Sequence, residues 1–370
     1  MLEETESSAS PGTPVTKRIA GPGIWPKVKV YLAFSALAIF FAESVGGNYP
    51  SALLNPLVYI AYGFPFILLL DDLVRNGENR FYPWYFSGWL VGWVTEAYVA
   101  KVVFYGWPGD HEQIFGFAVG PILVVIFFYH AWITLLLTAY VARRYLGFPF
   151  QIQINRGRDR IALTTALVLS VISTHISISQ GKPLPRTMIE LALSFLILVV
   201  IINGLKKVGK IDDFRLSKDE RTRILKWGVV IYVLFFLGGA TEPHVKGQLA
   251  PFWPCIFSLF ITFTIYWALR RSIRLKAGKL NEIPLSYDPE ILKSSGWGKW
   301  IFTYFMISLI VLGASPMILG PVIPTLVGGM FITFILFGII CGLYCFTCLF
   351  RDAARIGTGG RPGELPKVFN

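Results

Sequence analysis

Basic residues fill every second gap between ten long apolar stretches, and no other feature limits the possible folds of this chain as tightly. Hydropathy places the stretches near 28–46, 52–72, 84–106, 115–141, 160–179, 187–205, 226–242, 252–270, 299–318 and 325–349. Each has the length that a bilayer's hydrocarbon core demands of a helix. The N-terminal segment holds Lys17, Arg18, Lys27 and Lys29, the first connection no base, and the second Arg75 and Arg80. The third again has none, whereas the fourth, sixth and eighth are rich in bases. Thirty of the 34 Lys and Arg fall on one side, Lys182, Arg186 and Lys246 on the other, and Lys101 within a stretch. This is the positive-inside pattern. It predicts an all-α, polytopic membrane helical bundle of about ten transmembrane helices, with both termini cytoplasmic.

Composition agrees: 54% of residues are hydrophobic and 15% charged, which excludes an ordinary soluble enzyme. The net charge of +12 follows from topology, so it argues for contact with the lipid bilayer and against nucleic acid as a partner. Residues 1–27 are rich in Ser, Thr, Gly and Pro and read as a disordered cytoplasmic tail without a cleavable signal. Residues 28–349 form the bundle and 350–370 a second cytoplasmic tail. Endoplasmic reticulum or another endomembrane is the expected location.

Within the bundle, the stretch from Gly88 to Trp132 concentrates the polar chemistry. Gly88, Gly92, Glu96 and Ala100 recur every four residues and share one helical face. Small residues at that spacing admit a neighbouring helix closely, so the face looks into protein. Glu96 lies on this seam at an expected depth near mid-membrane, where an ionisable group marks a functional site. Lys101 is five positions on, about 140° around the helix, so the two cannot simply pair. It either snorkels to the outer boundary past Tyr105 and Trp107 or meets another helix. On the returning helix, His130 is either a neutral donor locked between helices or a proton relay to Glu96.

Other ionisable groups are scattered. Glu43 ends the first helix, and His175, Glu190, Glu242 and His244 lie in or beside later ones. Gly238, Gly239 and Pro243 break a helix near the outer face, a geometry tolerated only beside protein or a wet cavity. Asp71 and Asp72 end the second helix and read as a solvated turn. Residues 206–226 read as a solvated connector, and 142–159, with its aromatic and proline centre, as a segment on the membrane surface. The last two helices lack acid or base and read as scaffold. Cys345 and Cys348 form a lone C-x-x-C without the second pair a zinc site requires, so no metal is expected.

A dry pocket lined by aromatics and holding a few acids is what proton-initiated polyene cyclisation requires. A buried carboxylic acid can donate the proton, and aromatic faces stabilise the migrating cation. Glu96, Glu43 and Glu242 are the candidate acids, with His130 orienting or relaying. Trp93, Tyr98, Trp132 and Lys101 are the candidate substrate-binding residues. The run TEAYVAKVVFYGWPGD and the ten-helix pattern resemble multi-pass membrane proteins of fungal indole-diterpene clusters of the paxilline, aflatrem and lolitrem type. More distantly, they resemble membrane-bound terpene cyclases. The resemblance implies a membrane protein of secondary metabolism acting on a lipid-soluble prenylated precursor, without a cofactor, beside other membrane enzymes of its pathway. A weaker likeness, to intramembrane CAAX-type proteases, departs from their E-E-x-x-x-R motif at Thr95-Glu96…Lys101. The prenyltransferase signature N-x-x-x-D-x-x-x-D is missing. Two other classes fit the same residues: a proton-coupled or substrate transporter, and a non-catalytic scaffold.

Overall fold

In the computed structural model the described residues are 24–44, 51–106, 112–150, 183–238, 248–276, 286–319 and 323–355. Helix α1, Ile24–Ile39, runs into a π-helical turn, Phe40–Ser44. A short α2, Ser51–Leu54, precedes α3, Pro56–Arg75. Asn55 separates the two because its side chain caps α3, accepting from the Leu57 amide at 3.0 Å, while Pro56 occupies the first turn, where no amide is needed. Helix α4, Phe81–Tyr98, is followed by the single turn α5, Val102–Tyr105. A two-stranded hairpin, β1 Gln113–Ile114 and β2 Phe117–Ala118, then reverses the chain through Phe115 and Gly116. Both turn residues have positive φ (53° and 77°), the twist that a tight hairpin needs. A π-helix, Pro121–Leu137, continues as α6, Thr138–Tyr145. The remaining elements are α7 Leu184–Gly204, a 3-10 turn Leu205–Lys207, α8 Lys218–Gly238, α9 Phe252–Lys276, α10 Glu290–Ser294, α11 Trp297–Leu319 and α12 Ile323–Arg355.

Six of the described helices are long and apolar enough to cross a membrane. They divide into two sets. The spans at Ile24–Ala42, Pro56–Arg75 and Pro121–Tyr145 are 61–72% buried inside the protein, whereas Leu184–Lys207, Phe252–Arg274 and Ile335–Ala354 are 22–33% buried. The first three therefore form the centre with α4, and the others turn apolar faces outward, as helices bathed in lipid do. Phe260, Phe263, Leu196 and Ile340, all more than half exposed, lie on such outer faces. The protein is a multi-pass helical membrane protein.

Several sequence expectations are corrected. The helix predicted over 84–106 stops at Tyr98, because Lys101 adopts a left-handed conformation (φ 62°) that an α-helix cannot contain. Glu96 consequently lies in the last turn of α4 and not near its middle. The helix predicted over 115–141 begins only after the hairpin. Phe148 and Phe150, expected on the membrane surface, are buried against Phe34, and Phe150 also meets Trp84. Residues 206–226 are not a solvated connector: Val208, Ile211, Phe214 and Leu216 are buried, Ile211 bridges to Tyr287, and α8 begins at Lys218.

The largest correction concerns Asp71 and Asp72, which are 1% and 6% exposed. Arg221 at the start of α8 reaches both, with Nη1 2.8 Å from Asp71 Oδ2 and Nη2 2.7 Å from Asp72 Oδ2. Arg75 and the Leu216 amide also donate to Asp71. Beside this cluster Arg80 pairs with Glu78 at 2.6 Å and with Asp352 of α12 at 2.9 Å, and donates to the Ser272 carbonyl of α9. Lys27 of α1 meets Glu220 of α8 at 3.3 Å. Burial alone would lower the Arg80 pKa, but the hydrogen bonds and charge of Glu78, with Tyr82 and Asp352, hold it above the usual arginine value. Charges withdrawn from water are stable only when paired, so one ionic layer ties α1, α3, α8, α9 and α12 together at the basic end of the bundle.

Removing the central cation leaves two buried carboxylates short of a partner. Arg221→Ala should cost about 3 kcal/mol of stability, read as a lowered midpoint of thermal unfolding in detergent. Arg144→Ala, at an exposed position, should leave the midpoint unchanged.

Candidate functional site

The seam on α4 meets the π-helix. A Cβ added at Gly88 would stand 2.8 Å from the Ala131 Cα and the His130 carbonyl, and one at Gly92 would stand 2.5 Å from the His130 Cβ. No residue with a side chain fits at either position without moving backbone. This approach presses His130 against α4 one turn below Glu96. The His130 Nε2 lies 3.0 Å from Glu96 Oε1, and Thr134 Oγ1 lies 3.1 Å from the other ring nitrogen, Nδ1. Both nitrogens of the imidazole are therefore engaged. In one tautomer Nδ1–H donates to Thr134, and Nε2 accepts from a neutral carboxyl. In the ionic form Nε2–H donates to the carboxylate. In each form one proton lies on the hydrogen bond between the two side chains.

Solvent exposure separates the partners. The His130 side chain is 1% exposed and that of Glu96 13%, so the carboxyl is the more accessible member of the pair. Tyr62 of α3 covers the imidazole at 5.8 Å between ring centroids, and Tyr129 meets it edge-on at 6.0 Å. Tyr129 in turn donates to the Ala42 carbonyl, which brings the π-helical turn Phe40–Ser44 beside the site. That turn contains Glu43, although its side chain is outside the described residues, as are Glu242, His244 and His175. Two π-helical segments thus meet at this point, and such turns concentrate at functional sites.

The other sequence candidates separate into distinct groups. Trp93 donates from Nε1 to Ser258 Oγ of α9 at 3.0 Å and stacks on Trp89 with centroids 5.1 Å apart. Tyr98 bonds the same Ser258 at 3.0 Å and Thr262 at 3.2 Å. These two rings form the wall between α4 and α9. Lys101 does not snorkel: it is 1% exposed, and its Nζ donates to the Gln248 carbonyl at 2.6 Å and lies 5.8 Å from the Phe236 ring. Trp132 lies elsewhere, against Phe81 and Phe337. Glu190 pairs with Arg186 one turn earlier on α7. Among the described residues, no group of three or more His, Cys, Asp or Glu is placed to hold a metal ion.

Sequence reasoning missed Thr134, Tyr62 and Ser258. Thr134 was within reach, since it stands four residues after His130 on the same helix. Tyr62 and Ser258 come from other helices and leave no local signal.

A family model described as "Uncharacterized membrane protein family" matches residues 32–356. No curated protein and no solved structure gives a significant match to the chain.

Because the Gly92 clash is with the His130 Cβ and its ring, Gly92→Ala must push the two helices apart. Overpacking of this kind costs roughly 1–3 kcal/mol. Thermal unfolding in detergent should show a clear loss for Gly92→Ala and Gly88→Ala. Gly298→Ala should show none, because an added Cβ there meets nothing within 4 Å.

Proposed function

The chain belongs to this uncharacterized membrane protein family, and from that premise we propose that it is a membrane-embedded terpene cyclase. Its substrate would be a lipid-soluble, prenylated precursor of indole-diterpene type, and Glu96 the proton donor. The observation that carries this reading is the contact of Glu96 with His130 at 3.0 Å, inside a bundle whose aromatic side chains stand on both sides. The chemistry needs one proton in a dry place. Glu96 delivers it to a terminal alkene, forming a C–H bond, or to an epoxide oxygen, opening a C–O bond. Ring closure carries the positive charge along the polyene. Loss of a proton from a carbon beside the final cation restores neutrality, and the carboxylate takes that proton back. Substrate and product are then isomers, and no cofactor is consumed. His130 is a positioning residue: it fixes the carboxyl and shares its proton, while Thr134 holds the ring.

Trp93 and Tyr98 have electron-rich faces suited to the migrating cation, with Lys101 and Trp132 as more distant lining. Glu43 and Glu242 stay as alternative acids within the same proposal. The resemblance to indole-diterpene cluster proteins supplies the substrate class, an endomembrane location and neighbouring pathway enzymes. Ten spans with both termini cytoplasmic belong to the same proposal, as the alternation of basic residues implies.

A second reading, a proton-coupled carrier, is favoured by one observation. The ionic layer around Arg221 and Arg80 ties helices together at the basic end of the bundle, whereas Glu96 stands fifteen residues along α4 from Phe81, about 22 Å away at 1.5 Å per residue. A proton site well removed from an ion-paired end suits one-sided access.

Microsomes containing the full chain and a prenylated indole precursor separate these readings. For the cyclase, Glu96→Gln should lower cyclised product by about 100-fold or more, with uncyclised precursor accumulating, and a protonophore should change nothing. Product formation that survives Glu96→Gln would refute the assignment of Glu96. Unchanged chemistry with loss of gradient-dependent uptake would establish the carrier instead. If Glu96→Gln has no effect while omission of the chain lowers product, the protein is a scaffold.

A further inference from the structure

The outer face of α9 carries a second feature, remote from Glu96 and independent of the cyclase reading. A groove of about 940 Å³ runs along it, lined by Phe260, Phe263 and Trp267 and ending at Arg270, Arg271 and Arg274. Its apolar part faces outward: Phe260, Phe263 and Trp267 are 64%, 68% and 55% exposed, on a span only 22% buried inside the protein. Its basic part is short of acid. Arg270 has Asp72 at 4.0 Å and a buried Nε without a hydrogen-bond partner. Asp72 itself is already engaged at 2.7 Å by Arg221. Asp352 and Glu78, the acids of the adjoining cluster, are occupied by Arg80. Arg271 and Arg274 have no carboxylate partner among the described residues, and Arg271 lies over the Trp267 ring at 5.1 Å.

We propose that this groove binds one anionic phospholipid, with the headgroup phosphate held by Arg271, Arg274 and the free edge of Arg270, and an acyl chain along Trp267, Phe263 and Phe260. Three features select this occupant. Guanidinium groups in a cluster match a phosphate's oxygens in a fork geometry. The arginines stand at the end of a lipid-facing helix, at the level where headgroups lie, on the basic side of the bundle, where anionic lipid is enriched. The aromatic row continues from the arginines in the direction an acyl chain takes. A soluble anion would match the first feature and make no use of the other two. A peptide partner would bring backbone polar groups onto an apolar face in lipid, at a high cost.

The test is a lipid titration of the full-length chain in neutral detergent, read by native mass spectrometry and thermal stability, with phosphatidylserine against phosphatidylcholine. Wild type should retain one phosphatidylserine and be stabilised by it in preference to phosphatidylcholine. Arg271→Gln/Arg274→Gln should weaken that binding by about tenfold or more. Arg223→Gln/Lys226→Gln, which removes two exposed charges from α8, should leave it intact. Equal loss in the two double variants would overturn the site in favour of general surface electrostatics, and loss in neither would overturn it outright. Stabilisation by soluble glycerol phosphate to the same extent would overturn the lipid as occupant. Should the arginine variant not fold, wild-type arginines can be kept. A phosphatidylserine with brominated acyl chains should quench tryptophan fluorescence more than its phosphatidylcholine counterpart, and Trp267→Phe should abolish the difference. Equal quenching would again overturn the proposal.

Discussion

The close approach of α4 to the π-helix at Gly88 and Gly92 is the constraint from which the centre of this protein follows. With backbone and imidazole filling the space that any Cβ would need, the two helices have one permitted register. That register sets His130 against the carboxyl one turn further along. A helix pair held by side-chain interdigitation could slide or rotate to accommodate a substitution, whereas backbone contact cannot. The 3.0 Å contact between Glu96 and His130 is therefore a consequence of packing, and the aromatic rings of Tyr62 and Tyr129 finish the enclosure.

Charge is handled differently at the two ends. Around Arg221 and Arg80, every buried carboxylate named above has a guanidinium within 3.1 Å. Such a layer joins helices that are far apart in sequence, and it leaves little for a proton to do. Glu96 has a different partner. An imidazole nitrogen can either give or accept a proton, which a guanidinium cannot, so this pair can exchange a proton where an arginine pair cannot. Structure at one end and chemistry at the other is the division that the cyclase and carrier readings both use.

Much of this was legible in the chain, and the illegible parts have physical reasons. Spacing alone put Gly88, Gly92 and Glu96 on one buried face, because a four-residue repeat is a local property of a helix. The helical membrane class was equally plain from hydropathy. Lys101 ends its helix by a left-handed backbone, which apolar neighbours on both sides conceal. Asp71 and Asp72 looked solvated because their partner, Arg221, is about 150 residues away. Phe148 and Phe150 sit in a segment with arginines on either side, and only their contacts with Phe34, and that of Phe150 with Trp84, explain their burial. Local pattern reveals faces; pairing between distant segments needs the fold.

The central claim is that Glu96 and His130 share one proton. It can be read directly by nitrogen NMR of the full chain labelled at its four histidines, with the His130 signals identified by their disappearance in His130→Gln. Glu96→Gln should shift the tautomeric signature of that imidazole, which Glu96 and Thr134 hold at its two nitrogens, and leave the remaining histidines as they were. A His130 spectrum unchanged by Glu96→Gln would contradict it.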